Sequence, residues 1–209
     1  MKKSKSVDVM VSYINGKYTD DSFEYRSVTG GSLGSDTVTI LVESAKYPGR
    51  PIHVFYTQRD GAESFSDNYL AVKYEDETLE YLRGAIREEF GDNLYLEYSA
   101  SSHSRIENGS SETAFFEFIA EESADVFFKA VVYCTEENED VLFEKVKAAL
   151  SETASYGYIY FVNETLELSG EEGQGAAMEI IEGKRYTKRI EFAKSSVSEF
   201  KKVLWKDGV

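Results

Sequence analysis

Two amphipathic helix stripes, set among runs of alternating apolar and polar residues, constrain this chain more than any other feature. Between Glu75 and Phe90, Leu79, Leu82, Ile86 and Phe90 recur at three- and four-residue intervals and share one helical face. Gly91 stands where a left-handed cap would end that helix. Between Asp140 and Leu150 the stripe is Leu142, Phe143, Val146 and Leu150. Thr135 is positioned to cap this second helix. Glu136, Glu137, Glu139 and Asp140 lie at its positive end, and Lys145 and Lys147 toward its negative end. Each stripe needs an apolar layer to cover it.

The alternating runs supply that layer. Thr37 to Glu43 sets Val38, Ile40 and Val42 against Thr37, Thr39 and Leu41, and Ile52 to Gln58 reads as a strand as well. Asp60-Gly61 predicts a tight hairpin, with Ala62 to Phe65 returning as the partner strand. Phe23 to Arg26, Leu94 to Tyr98, Asp125 to Cys134, Tyr156 to Val162 and Tyr186 to Ala193 are the other strand candidates. Val7 to Tyr18 fits two periods. Val7, Met10, Val11, Ile14 and Tyr18 share a helical face, while Val7, Val9 and Val11 alternate as in a strand. Ala114 to Ile119 reads as a short helix or strand, Phe200 to Trp205 as a last strand or helix, and Leu166 to Gly183 is poorly patterned.

The fold class expected is α+β, with antiparallel sheets each covered on one face by helices. Leu79, Leu82, Ile86 and Phe90 would pack on Ile40, Val42 and Val54, and Leu142, Val146 and Leu150 on the strands at Val126–Tyr133 and Tyr156–Val162. The Ser-rich stretch 99–112 reads as a linker or loop between a first α+β unit at 7–98 and a second at 113–206. The halves suggest two related units, although they do not align as a repeat.

Composition narrows the function classes. The chain has 209 residues, 42% of them hydrophobic, including 15 Tyr and 13 Phe, which is a globular composition. A net charge of −15 and an isoelectric point near 4.6 disfavour a basic groove for nucleic acid. No stretch is long and apolar enough to span a membrane. Met1 to Lys5 carries the charge of a signal n-region, but Asp8 follows and no apolar stretch appears. That fits a cytosolic chain, or a domain whose export signal has been replaced.

Catalytic motifs are scarce. Gly30-Gly31-Ser32-Leu33-Gly34 matches the G-x-S-x-G nucleophile pattern, yet it runs into a strand rather than opening a helix, so a turn between strands is the expected reading. Cys134 ends an apolar run and reads as a buried small hydrophobe. His53 is placed on the solvent side of its strand, and His103 in the Ser-rich stretch. Glu136-Glu137-Asn138-Glu139-Asp140 lacks the calcium-loop pattern. No dinucleotide fingerprint or P-loop occurs, so neither catalytic residue, cofactor nor metal is assigned. The tyrosines are the remaining candidates. Tyr156, Tyr158 and Tyr160 share one face of a strand and Tyr95 and Tyr98 lie on another, a pattern that serves either a core under a helix or a recognition surface for a protein or glycan.

Asp67-Asn68-Tyr69-Leu70-Ala71-Val72-Lys73-Tyr74, with Tyr13-Ile14-Asn15-Gly16-Lys17-Tyr18, Phe23-Glu24-Tyr25 and Lys46-Tyr47-Pro48-Gly49, resembles segments of uncharacterised small lipoproteins of Gram-positive bacteria. The likeness covers mainly residues 7–98, and the family has no assigned activity. It implies a domain exported to the cell envelope, although this sequence has neither a signal peptide nor a lipobox cysteine. The function expected is a non-enzymatic binding or interaction domain of the envelope. The alternatives are a cytosolic acidic protein that neutralises a basic partner, as immunity or inhibitor proteins do, and, third, a hydrolase.

Overall fold

The computed structural model describes residues 2–31, 36–100, 104–121, 124, 126–153, 155–164, 167–168, 170–196 and 199–207. In chain order the elements are α1 (Lys2–Lys17), β1 (Phe23–Gly31), β2 (Thr37–Ser44), β3 (Ile52–Arg59), β4 (Ala62–Asp67), α2 (Tyr69–Lys73), α3 (Glu75–Phe90), β5 (Leu94–Tyr98), α4 (Phe115–Ala120), β6 (Val126–Tyr133), α5 (Glu139–Ala149), β7 (Ser155–Val162), α6 (Gly170–Gly183), β8 (Lys188–Ser196) and β9 (Glu199–Asp207). The class is α+β, as the periodicities require. The chain forms two compact units.

The first unit comprises Met1–Tyr74, Ala100–Phe118 and Ser123–Asp125. Its sheet runs β1-β2-β3-β4, every neighbouring pair antiparallel. Asp60 and Gly61 take φ of 52° and 84°, the two positive values that a tight β3–β4 hairpin needs. The helical period wins at the N-terminus: Met10, Ile14 and Tyr18 are fully buried, while Val9 is 42% exposed. Helix α1 lies on this sheet, over the face that carries Val38, Ile40, Val42, Ile52 and Val54. The partner expected for that face, α3, belongs to the second unit instead.

A buried polar centre ties the first unit together. Asp67, fully buried at the end of β4, accepts from the Tyr18 hydroxyl at 2.9 Å, the Tyr13 hydroxyl at 3.1 Å, Lys17 Nζ at 2.7 Å and the Tyr69 backbone N–H at 3.0 Å. Lys17 Nζ also donates to the Ile106 carbonyl at 2.8 Å. The Asp67 and Ile106 backbones pair as a β-bridge. Lys73 Nζ donates to the Ser111 carbonyl and the Tyr74 hydroxyl to that of Thr113. Much of the stretch expected to be a linker is therefore a wall of the first unit, with Ser104 and Ile106 buried.

The second unit comprises Glu75–Ser99, Ile119–Glu122 and Val126–Val209. The boundaries 7–98 and 113–206 thus give way to an interleaved division, because α3 and β5 pack with the strands and helices of the C-terminal half. The sheet runs β5-β6-β7-β8-β9 and is mixed rather than antiparallel throughout. Strands β6 and β7 are parallel, joined by a crossover through α5. Both amphipathic helices serve this sheet. Helix α3 packs on α5 and β5, with the Phe90 ring 5.7 Å from that of Phe161 on β7. Leu82, Ile86, Leu142, Val146 and Leu150 are all fully buried. The N-cap of α5 is Asn138, not Thr135: its side chain accepts from the Asp140 N–H at 3.0 Å. At the other end Lys145 Nζ donates to the Glu89 carbonyl at 3.0 Å. The poorly patterned stretch becomes α6, and the last ambiguous segment becomes strand β9.

Candidate functional site

Strand parity sorts the second sheet into two faces. Leu94, Leu96 and Tyr98 on β5 pair with Val132, Ala130 and Phe128 on β6, which pair with Phe161, Ile159 and Gly157 on β7. This is the face under α3. The opposite face carries Tyr95 and Glu97, then Phe127, Lys129 and Val131, then Tyr156, Tyr158, Tyr160 and Val162, then Arg189 and Glu191.

Helix α6 covers only one end of that opposite face. Leu168, Ala177 and Ile180 pack with Val131, Tyr160, Val162 and Tyr186, and Tyr95, Tyr133 and Tyr158 border the cluster. Toward the other end Phe127, Tyr156 and Tyr158 are half-buried, and with Glu191 and Ala193 they line a cleft of about 160 Å³. The Phe127 ring lies 5.0 Å from Tyr156 at 45° and 6.1 Å from Tyr158 at 85°, so the rings form angled walls. Charged side chains stand around them. Lys129 Nζ is 3.7 Å from Glu97, and Glu191 lies between Arg189 at 3.9 Å and Lys206 at 3.6 Å. The Arg189 guanidinium sits 5.3 Å from the Tyr158 centroid, within cation–π range.

The five tyrosines therefore separate. Tyr156 and Tyr158 line the cleft. Tyr160 is 5% exposed, its ring 5.1 Å from Tyr186 in the α6 cluster. Burial raises its hydroxyl pKa, with Arg189 pulling the other way. Tyr95 is half-buried beside the same cluster, and burial and Glu97 raise its pKa. Tyr98, three residues on, points to the other face and is 9% exposed, with its pKa raised by burial. Tyr160 and Tyr98 thus drop out of an accessible surface. Sequence reasoning passed over Phe127 and Arg189. Phe127 was findable, since β6 and β7 each place an aromatic residue on this face, whereas Arg189 joins it only through the pairing of β8 with β7.

A larger cavity, about 470 Å³, lies at the carboxyl ends of β6 and β7, where parallel strands commonly bind ligands. Cys134 lines it, half-buried rather than in the core. Three of its other polar groups are engaged within the fold: Lys188 Nζ with Glu139 at 2.9 Å, the Thr187 hydroxyl with the Phe161 carbonyl at 3.0 Å, and Glu136 with the Asn138 N–H at 2.8 Å.

In the first unit His53 is half-buried, its Nδ1 3.4 Å from the Thr29 hydroxyl, and burial lowers its pKa. The G-x-S-x-G motif spans β1 and the connection to β2, which pair antiparallel at Gly31 and Val38. Ser32, Leu33 and Gly34, like His103, lie outside the described residues. Among the described residues no group of three His, Cys, Asp or Glu has metal-holding geometry, and no helix is long and apolar enough to cross a membrane.

No protein-family model matches the chain, and no curated protein matches it. Among solved structures, the chain is similar to a crystal structure of a DUF5037 family protein from Ruminococcus gnavus. That alignment covers 94% of each chain at 13% identity, with a TM-score of 0.38.

Proposed function

We propose that this chain is a non-enzymatic binding domain whose recognition surface is the uncovered end of the second unit's sheet. One observation carries the reading. The α6 cluster reaches Tyr158 at its border but not Phe127 or Tyr156, which leaves three half-buried aromatic rings around a small cleft with charged side chains at its rim. Aromatic anchors ringed by polar groups are the usual form of a recognition site, because the rings supply contact area at low entropic cost and the rim sets orientation. The placement at the cell envelope is supported by the resemblance at residues 7–98, and fractionation of a producing cell tests it separately.

The binding reading is tested by probing glycan and peptide arrays with the wild-type chain and with the Tyr156→Ser/Tyr158→Ser variant. The expected result is a set of ligands held by the wild type and lost by a variant that still melts cooperatively. Ligands held equally by both, or none at all, would remove this face as the recognition surface.

A further inference from the structure

We infer that the aromatic cleft takes a single carboxylate-bearing sugar residue, a ligand class that rests on the reading of this face as a binding surface. Size is the first argument. A stable protein interface buries about 800 Å² on each partner. Three half-buried rings around about 160 Å³ offer room for one ring-sized group and far less than such an interface needs. The rings stand at 45° and 85° to one another, so they can touch a pyranose through more than one of its C–H surfaces.

Charge is the second argument. The whole chain carries −15, yet Arg189 and Lys206 of the β8–β9 hairpin both face Glu191. Strand β8 forms one wall of the cleft through Glu191, Phe192 and Ala193. Among the described residues Glu191 is the only carboxylate lining it, and both Arg189 and Lys206 counter that charge. On the other flank Lys129 faces Glu97. The described rim therefore has three cations to two carboxylates, an excess that favours one added negative charge. The acidity of the rest of the chain acts at longer range and repels densely charged polymers, nucleic acids included. A ligand that meets both conditions carries one acidic sugar, at an end or widely spaced.

The experiment titrates the full chain by calorimetry with sialyllactose and with a glucuronic-acid-capped xylobiose, each beside its uncharged parent, lactose or xylobiose. At least one acidic sugar should bind at least tenfold more tightly than its parent, and the difference should shrink as salt rises. Lys206→Gln and Arg189→Gln should each reduce the preference for the acid. Lys206 is half-exposed, so its variant keeps the test sound if the Arg189 variant fails to fold. Tyr156→Ser should abolish binding of acid and parent alike. Equal binding of acid and parent, lost in Tyr156→Ser, overturns the acidic-sugar assignment while leaving the face as a binding surface. No binding of any of the four sugars overturns the assignment, and the array result then decides about the surface. Preference for an acidic peptide over both sugars overturns it as well.

Discussion

Lys17 and Asp67 form a buried ion pair at the polar centre of the first unit. The carboxylate is fully buried and the lysine side chain is 9% exposed, so each charge is tolerated because the other stands 2.7 Å away. Replacing Lys17 with Met leaves the carboxylate unpaired and should cost about 3–5 kcal/mol in urea unfolding. The tyrosines around it make a second prediction, in pH. Burial, followed by Asp67, raises the pKa of Tyr13 and Tyr18, and burial followed by Asp21 raises that of Tyr69. A group that holds its proton longer in the fold contributes stability present below the unfolded value, about 10 for tyrosine, and lost as pH rises above it. Stability should therefore fall steeply above about pH 10. Tyr18→Phe should flatten that fall while costing about 1–3 kcal/mol at neutral pH through the lost bond to Asp67. None of this was legible in the sequence. Tyr13, Lys17 and Tyr18 are close in the chain, but Asp67 is one of 38 acidic residues, and only the β4 pairing brings it under α1. The tyrosine strand was legible by parity, whereas the loss of Tyr160 depended on α6.

The elements divide by how clearly their period was written. Helices α3 and α5 and the β3–β4 hairpin follow their patterns, because one apolar face or one turn dipeptide decides each of them. Leu82→Ala should cost about 2–5 kcal/mol, and Val9→Ala on the exposed side of α1 less than about 0.5, as measured by chemical denaturation. Helix α6 was hidden because Gly170, Gly173, Gly175 and Gly183 lower its helical propensity, and packing of Ala177 and Ile180 on the sheet overrides that preference. The partner of α3 was hidden for a related reason: a stripe announces that a helix is covered, not by which sheet. Strand β7 contains a position that no side chain other than hydrogen fits. Gly157 has φ of 151°, and a Cβ there would run into the Phe128 carbonyl of the neighbouring strand. Gly157→Ala should thus lower the melting temperature, and because Gly157 also lines the cleft, any ligand affinity should fall with it.

At the scale of the whole molecule, the two units do not occupy two successive lengths of chain. A fragment ending at residue 98 keeps α1 and the first sheet but loses Ile106, whose backbone bridges Asp67, and carries α3 and β5 without their partners. It should show poor amide dispersion by NMR and no cooperative melt, whereas the full chain should show wide dispersion and a cooperative melt. The Ser-rich composition of 99–112 disguised this, since polar residues spaced like a linker also suit a segment held by backbone hydrogen bonds. The interleaving has a consequence for how the protein is made. Synthesis is vectorial, and at about 5–20 residues per second the stretch from Tyr98 to the end of β6 takes about 2–7 s to emerge. Throughout that interval the apolar stripe of α3 waits beside a nascent chain with no sheet to receive it. This is the window in which a ribosome-associated chaperone would engage the polypeptide.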